Sequence, residues 1–158
     1  MSLQREDWGP KFWFLLHTLA ECSGTITQPV LANDEADNWN ILLKAQAFIM
    51  PCALCKKHYL EWKHMHSIPN LRTIKGPARK TILTTWLWNC HNSVNKQNEK
   101  DLFSEDSMKT MYTRQSLKKT FEEISLMLKN ALERSLLKPD DIKRWKTTVS
   151  HLLILYAL

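Results

Sequence analysis

Apolar residues recur at three- and four-residue steps along almost the whole of this 158-residue chain, and no useful stretch alternates with period two. That rhythm restricts the fold to packed helices, and the punctuation marks their ends. Phe12, Trp13, Leu16, Leu19 and Ala20 predict a first helix opening near Trp8-Gly9-Pro10 and stopping at Gly24. Residues 25–33 read as a connector. Asn33 or Asp34 then caps a second helix reaching about Ile49, with Trp39, Leu42, Leu43, Ala45 and Ala47 inward. Pro51 breaks that run and opens a third helix, which Pro69 closes, and Gly76-Pro77 opens a fourth to about Asn98. Beyond residue 101 the stripe Leu117, Phe121, Ile124, Leu128, Ala131 and Leu132 predicts an amphipathic helix over 115–137. Pro139 starts another, carrying Ile142, Trp145, Val149, Leu152 and Tyr156. The reading is an all-α fold, a four-helix core with an appended C-terminal helical hairpin.

Composition narrows the function classes. The formal net charge is +6, from 22 basic and 16 acidic residues. It permits an anionic partner or a phosphate-bearing cofactor, yet the charges lie in scattered KK, RK and KR pairs with no dense run, so no nucleic-acid arm is expected. The start, MSLQREDWGP, has no apolar core of signal-peptide length. The apolar tail, His151 to Leu158, is far shorter than the roughly 20 residues of a membrane span, so no membrane association is expected.

Residues 50–59, MPCALCKKHY, place Cys52 and Cys55 at a predicted helix start. A structural zinc site needs four ligands. The only possible second half is Cys90-His91, whose side chains diverge by about 100° on one helix, and His58 adds only a third ligand to the pair. No metal site is therefore expected. A thioredoxin domain sets its CxxC after a strand, and no strand pattern exists here. The dipole and free amides of a helix N-terminus nevertheless stabilise thiolates, with Lys56 and Lys57 nearby, so the pair is redox-competent in its own right. An inert cysteine pair stays open at this point.

Two further segments bear on the choice. In REDWGPKFWFLLHTLA, starting at Arg5, Trp13 and His17 are i and i+4 neighbours. In WLWNCHNSVNKQNEK, starting at Trp86, His91 and Asn95 are again four apart, with Asn92 one step round. Polar rings and amides among tryptophans on an apolar face are costly to bury unless something polar and planar satisfies them. Lys96 and Lys100, four apart, extend that face and suit a diphosphate. In order and spacing these segments, with PCxxC between them, resemble the Erv/ALR-type flavin-linked sulfhydryl oxidases over about residues 5–100.

The resemblance implies a bundle of four helices plus a short fifth, holding FAD with its ring against the CxxC. It sets an Erv/ALR-like core at 1–102 and leaves 103–158 as a helical extension on or beside it. By the same carry-over Cys55 is the flavin-proximal thiol and Cys52 the interchange thiol that meets substrate. Arg5, Gly9, Lys11, Trp13 and His17 match the first cofactor segment; His91, Asn92, Val94 and Asn95 match the second. Lys96 and Lys100 fall where basic residues meet phosphates, and Trp86 and Tyr59 border the cofactor. The activity implied is disulfide formation in protein dithiols, with electrons passed to dioxygen as hydrogen peroxide. The chain departs from the family in four ways. Pro10 replaces a residue that is usually polar. Met50 stands before Pro51 where an aromatic is common. Cys22 and Cys90, both inside predicted core helices, are the only candidates for a bracing disulfide. No second CxxC or CxC shuttle is present, so a separate small thioredoxin-like dithiol protein is the expected electron donor. Shuttle-less members are typical of large cytoplasmic DNA viruses, which implies the host cytosol or the virion, with the mitochondrial intermembrane space as the alternative. Relatives dimerise through their first two helices, implying a homodimer. The competing reading is a non-enzymatic basic helical interaction module with a structural zinc or an inert cysteine pair.

Overall fold

The computed structural model describes residues 3–158. Among them the chain runs through seven α-helices and two short 3-10 turns, with no strand: α1 Arg5–Cys22, α2 Pro29–Ala45, α3 Ala53–Met65, α4 Pro77–Gln97, α5 Glu105–Met111, α6 Lys118–Glu133 and α7 Pro139–Tyr156. This is the all-α architecture that the periodicity predicts. The short fifth helix, α5, lies just beyond the expected boundary at 102.

Several helix limits differ from the sequence reading, each for a local reason. Helix α1 opens at Arg5, before Pro10, because Glu6 and Asp7 suit a helix N-terminus and the Gln4 carbonyl accepts from the amides of Asp7 and Trp8. Pro10 is carried inside the helix, which forfeits one backbone bond, to the Glu6 carbonyl. Helix α2 begins at Pro29, four residues before Asn33. Proline is pre-set for the first helical position, and Gln28 supplies the cap, its side-chain oxygen accepting from the Leu31 amide at 2.7 Å. The connector thus shrinks to 25–28. At its far end α2 tightens into a 3-10 turn, Gln46–Ile49, before Pro51. Helix α3 ends at Met65, short of Pro69, and α6 spans only the central part of the predicted 115–137 segment.

The hairpin is not a separate layer. Helix α7 packs along α2, α6 along α1, and one apolar core runs from Phe12, Leu16, Trp39 and Leu42 into Leu128, Trp145 and Val149. Helices α1 and α2, the implied dimer contact, are therefore packed against helices of the same chain. A buried ion pair locks the far side: Arg79 Nη1 lies 2.7 Å from Glu35 Oε2, and the two are 1% and 0% exposed. Gly24 makes a second lock possible. Its φ is +74°, and a Cβ there would stand 2.2 Å from the Gly76 carbonyl oxygen, so the α1–α2 and α3–α4 loops approach as only glycine allows. No helix is long and apolar enough to cross a membrane among the described residues.

Candidate active site

Cys52 is the N-cap of α3, and its Sγ accepts from the Cys55 amide at 3.1 Å. The two cysteines are joined as a disulfide with Cα atoms 5.3 Å apart. Both are half-buried. Helix α3 covers little of itself: of its thirteen residues only Tyr59 is buried, its hydroxyl donating to the Leu43 carbonyl at 2.6 Å. Of the two nearby lysines, Lys56 lies over the Phe48 ring, 4.5 Å from its centroid, and Lys57 faces Glu61 across 3.9 Å. Both keep positive charge within a turn of the disulfide.

A two-part cleft opens beside this helix. The inner part, about 170 Å³, is walled by Cys55, Met50 and Tyr59 on one side and by Trp8, Phe12 and Trp13 of α1 on the other. The outer part, about 560 Å³, runs along α1 and α4 past His91, Asn95 and Lys100. Arg5, Gly9, Trp13, Val94 and Asn98 border both parts. Arg5 bridges the cleft, its Nη1 donating to Asn98 Oδ1 at 2.7 Å. The structure thus gathers Cys55, Tyr59, Arg5, Gly9, Trp13, Val94, His91, Asn95 and Lys100 along one groove, from the two ends of the sequence pattern.

Behind that groove is an aromatic stack. The rings of Trp13 and His91 lie 4.2 Å apart and nearly parallel, at 7°. His17 Nε2 meets His91 Nδ1 at 3.1 Å, so one nitrogen donates and the other accepts. Tyr112, at the end of α5, stacks on His17 at 4.4 Å. Burial lowers the His17 pKa to about 3, with the neighbouring His91 adding to the shift. Burial, with Lys100 nearby, lowers His91 to about 4. Burial thus keeps both rings neutral at pH 7, with one imidazole N–H donating to the bare nitrogen of the other.

Some residues that the resemblance assigned to the cofactor are engaged elsewhere. Lys11 points to α6, its Nζ 3.2 Å from Glu123 Oε2. Asn92 binds backbone: its Oδ1 accepts from the Phe103 amide and its Nδ2 donates to the Phe103 carbonyl. Trp86 donates to the His66 carbonyl at 2.6 Å and packs edge-on to Tyr59. Lys96 is exposed and borders neither part of the cleft, and α4 ends at Gln97 with Glu99 left-handed at φ 54°. Lys96 and Lys100 therefore do not share a helical face; only Lys100 turns back to the groove, its amide bonded to the Asn95 carbonyl. His17 sits behind His91 as its partner, bordering neither part of the cleft.

Sequence reasoning missed Gln46, which borders the inner cleft with Cys55. A signal existed: a polar residue interrupts the inward run Leu42, Leu43, Ala45, Ala47. It also missed Phe103 and Tyr112, which close the outer cleft from beyond the recognised segments and carried no local signal. Cys22 and Cys90 are free and buried, so no second disulfide braces the bundle. Burial raises both thiols above the ordinary cysteine range.

The donor set suits a flat, mostly apolar group with a polar tail. Gln46 Nε2 is buried without a partner on the inner wall. Gly9 borders both parts although a Cβ there would meet nothing closer than Arg5 Cγ at 3.8 Å. A mid-helix glycine costs about 1 kcal/mol relative to alanine, and no protein neighbour requires it. Arg5 and Lys100 supply cations to the outer part. These features fit FAD.

The model of the Erv1/Alr family matches residues 10–114. The chain belongs to that family. A FAD-linked sulfhydryl oxidase of African swine fever virus is 28% identical over 123 residues, covering 73% of this chain and 87% of the relative. No solved structure is a significant match. The family match ends at 114, so α6 and α7 lie outside it.

Proposed function

We propose that this protein is a FAD-linked sulfhydryl oxidase of the viral type, which makes disulfides in protein dithiols and reduces dioxygen to hydrogen peroxide. The observation that carries this reading is the division of one disulfide between two environments. Cys55 borders the apolar inner cleft, whereas Cys52, equally half-buried, does not border it and caps the helix start. That division supports Cys55 as the sulfur that meets the cofactor and Cys52 as the one that meets substrate.

A substrate thiolate attacks Cys52 Sγ, forming a mixed disulfide and releasing Cys55 as a thiolate. The third position of α3 favours that charge, since the first-turn amides and the helix dipole face it. The second substrate thiolate then attacks the substrate sulfur, completing the substrate disulfide and releasing Cys52. The Cys55 amide, 3.1 Å from Cys52 Sγ, stabilises that leaving thiolate. Bound FAD would supply the two-electron chemistry that links the reduced cysteines to dioxygen. Arg5, Trp13, His91, Asn95 and Lys100 would hold the cofactor, and Met50, Phe12 and Tyr59 would keep water from the inner cleft.

With no shuttle pair in the chain, a small thioredoxin-like dithiol protein is the proposed donor to Cys52. The proposed compartment is the cytosol of an infected cell or the virion. A homodimer would use what α7 leaves uncovered on α2, where Val30, Leu31 and Ile41 are exposed; sedimentation velocity decides it. The main test is spectroscopic and kinetic. The purified protein should carry visible flavin absorbance and consume oxygen with a dithiol. Cys55→Ser should lose turnover, by at least about 100-fold, while keeping its flavin; full activity in that variant overturns the assignment.

A further inference from the structure

Gln46 has a side chain whose orientation is fixed from outside the family segment. It is 1% exposed, in the 3-10 turn that leads to Pro51. Its Oε1 accepts from Trp145 Nε1 of α7 at 2.8 Å. An indole N–H only donates, so the amide cannot flip: oxygen faces Trp145, and nitrogen faces the other way. The Trp145 ring is itself immobilised, 0% exposed, edge-on to Phe12 at 5.6 Å and stacked on Phe121 at 6.2 Å. Gln46 Nε2 has no partner among the described residues. Two other buried polar atoms share that condition, Thr18 Oγ1 and Trp62 Nε1, but neither residue borders the cleft. Gln46 does, on the wall that also holds Cys55 and Tyr59.

We propose that Gln46 is a cofactor-binding residue whose amide N–H donates to an acceptor on the flavin ring, and that Trp145 of the appended hairpin is its positioning residue. The inference rests on the oxidase reading above and adds to it a role for α7, which the family match does not reach. A buried N–H lacking a partner is rare in folded proteins, and here it belongs to a residue that borders the cavity an acceptor would fill. A donor aimed at a ring that gains negative charge on reduction favours the reduced form, so Gln46 raises the midpoint potential of the bound cofactor.

The test titrates FAD into flavin-free protein and measures the midpoint potential of the reconstituted holoprotein, for wild type, Gln46→Leu and Trp145→Phe. Gln46→Leu is expected to weaken FAD binding about tenfold and to lower the potential by about 30 mV, a tenfold change in a two-electron equilibrium. Trp145→Phe keeps an aromatic ring but frees the amide to flip, and is expected to shift both readouts in the same direction by less. It also keeps the test decisive should Gln46→Leu fold poorly. Wild-type affinity and potential in a folded Gln46→Leu, or in Trp145→Phe when Gln46→Leu does not fold, overturn the proposal. Failure of the wild type itself to bind FAD removes the oxidase reading instead, so the two failures are distinguishable.

Discussion

Two buried polar clusters sit in this bundle, and they are built oppositely. Around Glu35 every polar atom is satisfied by protein. Arg79 donates to Glu35 and to the carbonyls of Ala32, Leu71 and Ile74. Glu35 Oε1 accepts from the Gly24 amide and the Tyr156 hydroxyl, and that hydroxyl accepts from Trp39. Around the cleft the accounting stays open: two neutral histidines share one contact, and Gln46 Nε2 has none. A buried charge with full partners is architecture, fastening α2, α4, α7 and the loops into one body. A buried donor without a protein partner, beside a cavity, marks where a ligand belongs. The cysteines divide the same way. Cys22 and Cys90 are packed and unreactive, whereas Cys52 and Cys55 sit at a helix start with amides and lysines around them.

The contrast can be broken most forcefully at Arg79. Arg79→Leu strands the Glu35 carboxylate in the core and should cost about 3–5 kcal/mol in chemical denaturation; a loss under about 1 kcal/mol would mean the cluster is not the lock described. Tyr156→Phe leaves Trp39 Nε1 without its acceptor and removes one donor to Glu35. It should cost about 1–3 kcal/mol, with no change in FAD affinity once the protein is folded. The cleft should respond in the reverse manner. His91→Ala is expected to weaken FAD binding about tenfold, near 1.4 kcal/mol, with less effect on the rate at which a small thiol reduces the Cys52–Cys55 disulfide. Equal effects on both would place His91 in the thiol chemistry.

The smallest effect is pH dependence. His17 and His91 hold folded pKa values near 3 and 4, below their ordinary 6.5. The unfolded chain therefore binds protons first, and the stability present above pH 6.5 declines as pH falls toward those values. Between pH 6.5 and 5, before most carboxylates titrate, denaturation midpoints should fall in the wild type and fall less steeply in His91→Asn, where buried His17 still resists protonation. An unchanged slope in that variant would assign the loss to other groups.

The fold was largely legible because the helices announce themselves locally. Pro77, Pro139 and the break at Pro51 located three of the helix starts, and the inward stripe of α7 is buried residue for residue as read. Where the reading slipped, a competing local interaction decided, as with Gln28 and Pro29 at the head of α2. The site was legible only in part. Residue type and spacing brought Cys55, Trp13, His91 and Arg5 to one groove. The same spacing misplaced Lys96, since a helix that ends at Gln97 has no face left to share with Lys100. It also could not tell that Asn92 would bind the Phe103 backbone or Lys11 a glutamate of α6, because side-chain partners come from segments distant in sequence.

The sequence by itself thus determined the helices, the reactive position of the CxxC at a helix start and the family, since each depends on residues within a few turns of one another. Only the tertiary structure decided which polar residues would be satisfied. Glu35 finds Arg79 44 positions away and Tyr156 121 positions away. Gln46 finds Trp145 99 positions away and then has a buried donor left without a partner, in a residue that borders the cleft. A hydrogen bond demands a partner within about 3 Å in a fixed direction. Over such separations that is set by how the helices pack, and no local pattern encodes it.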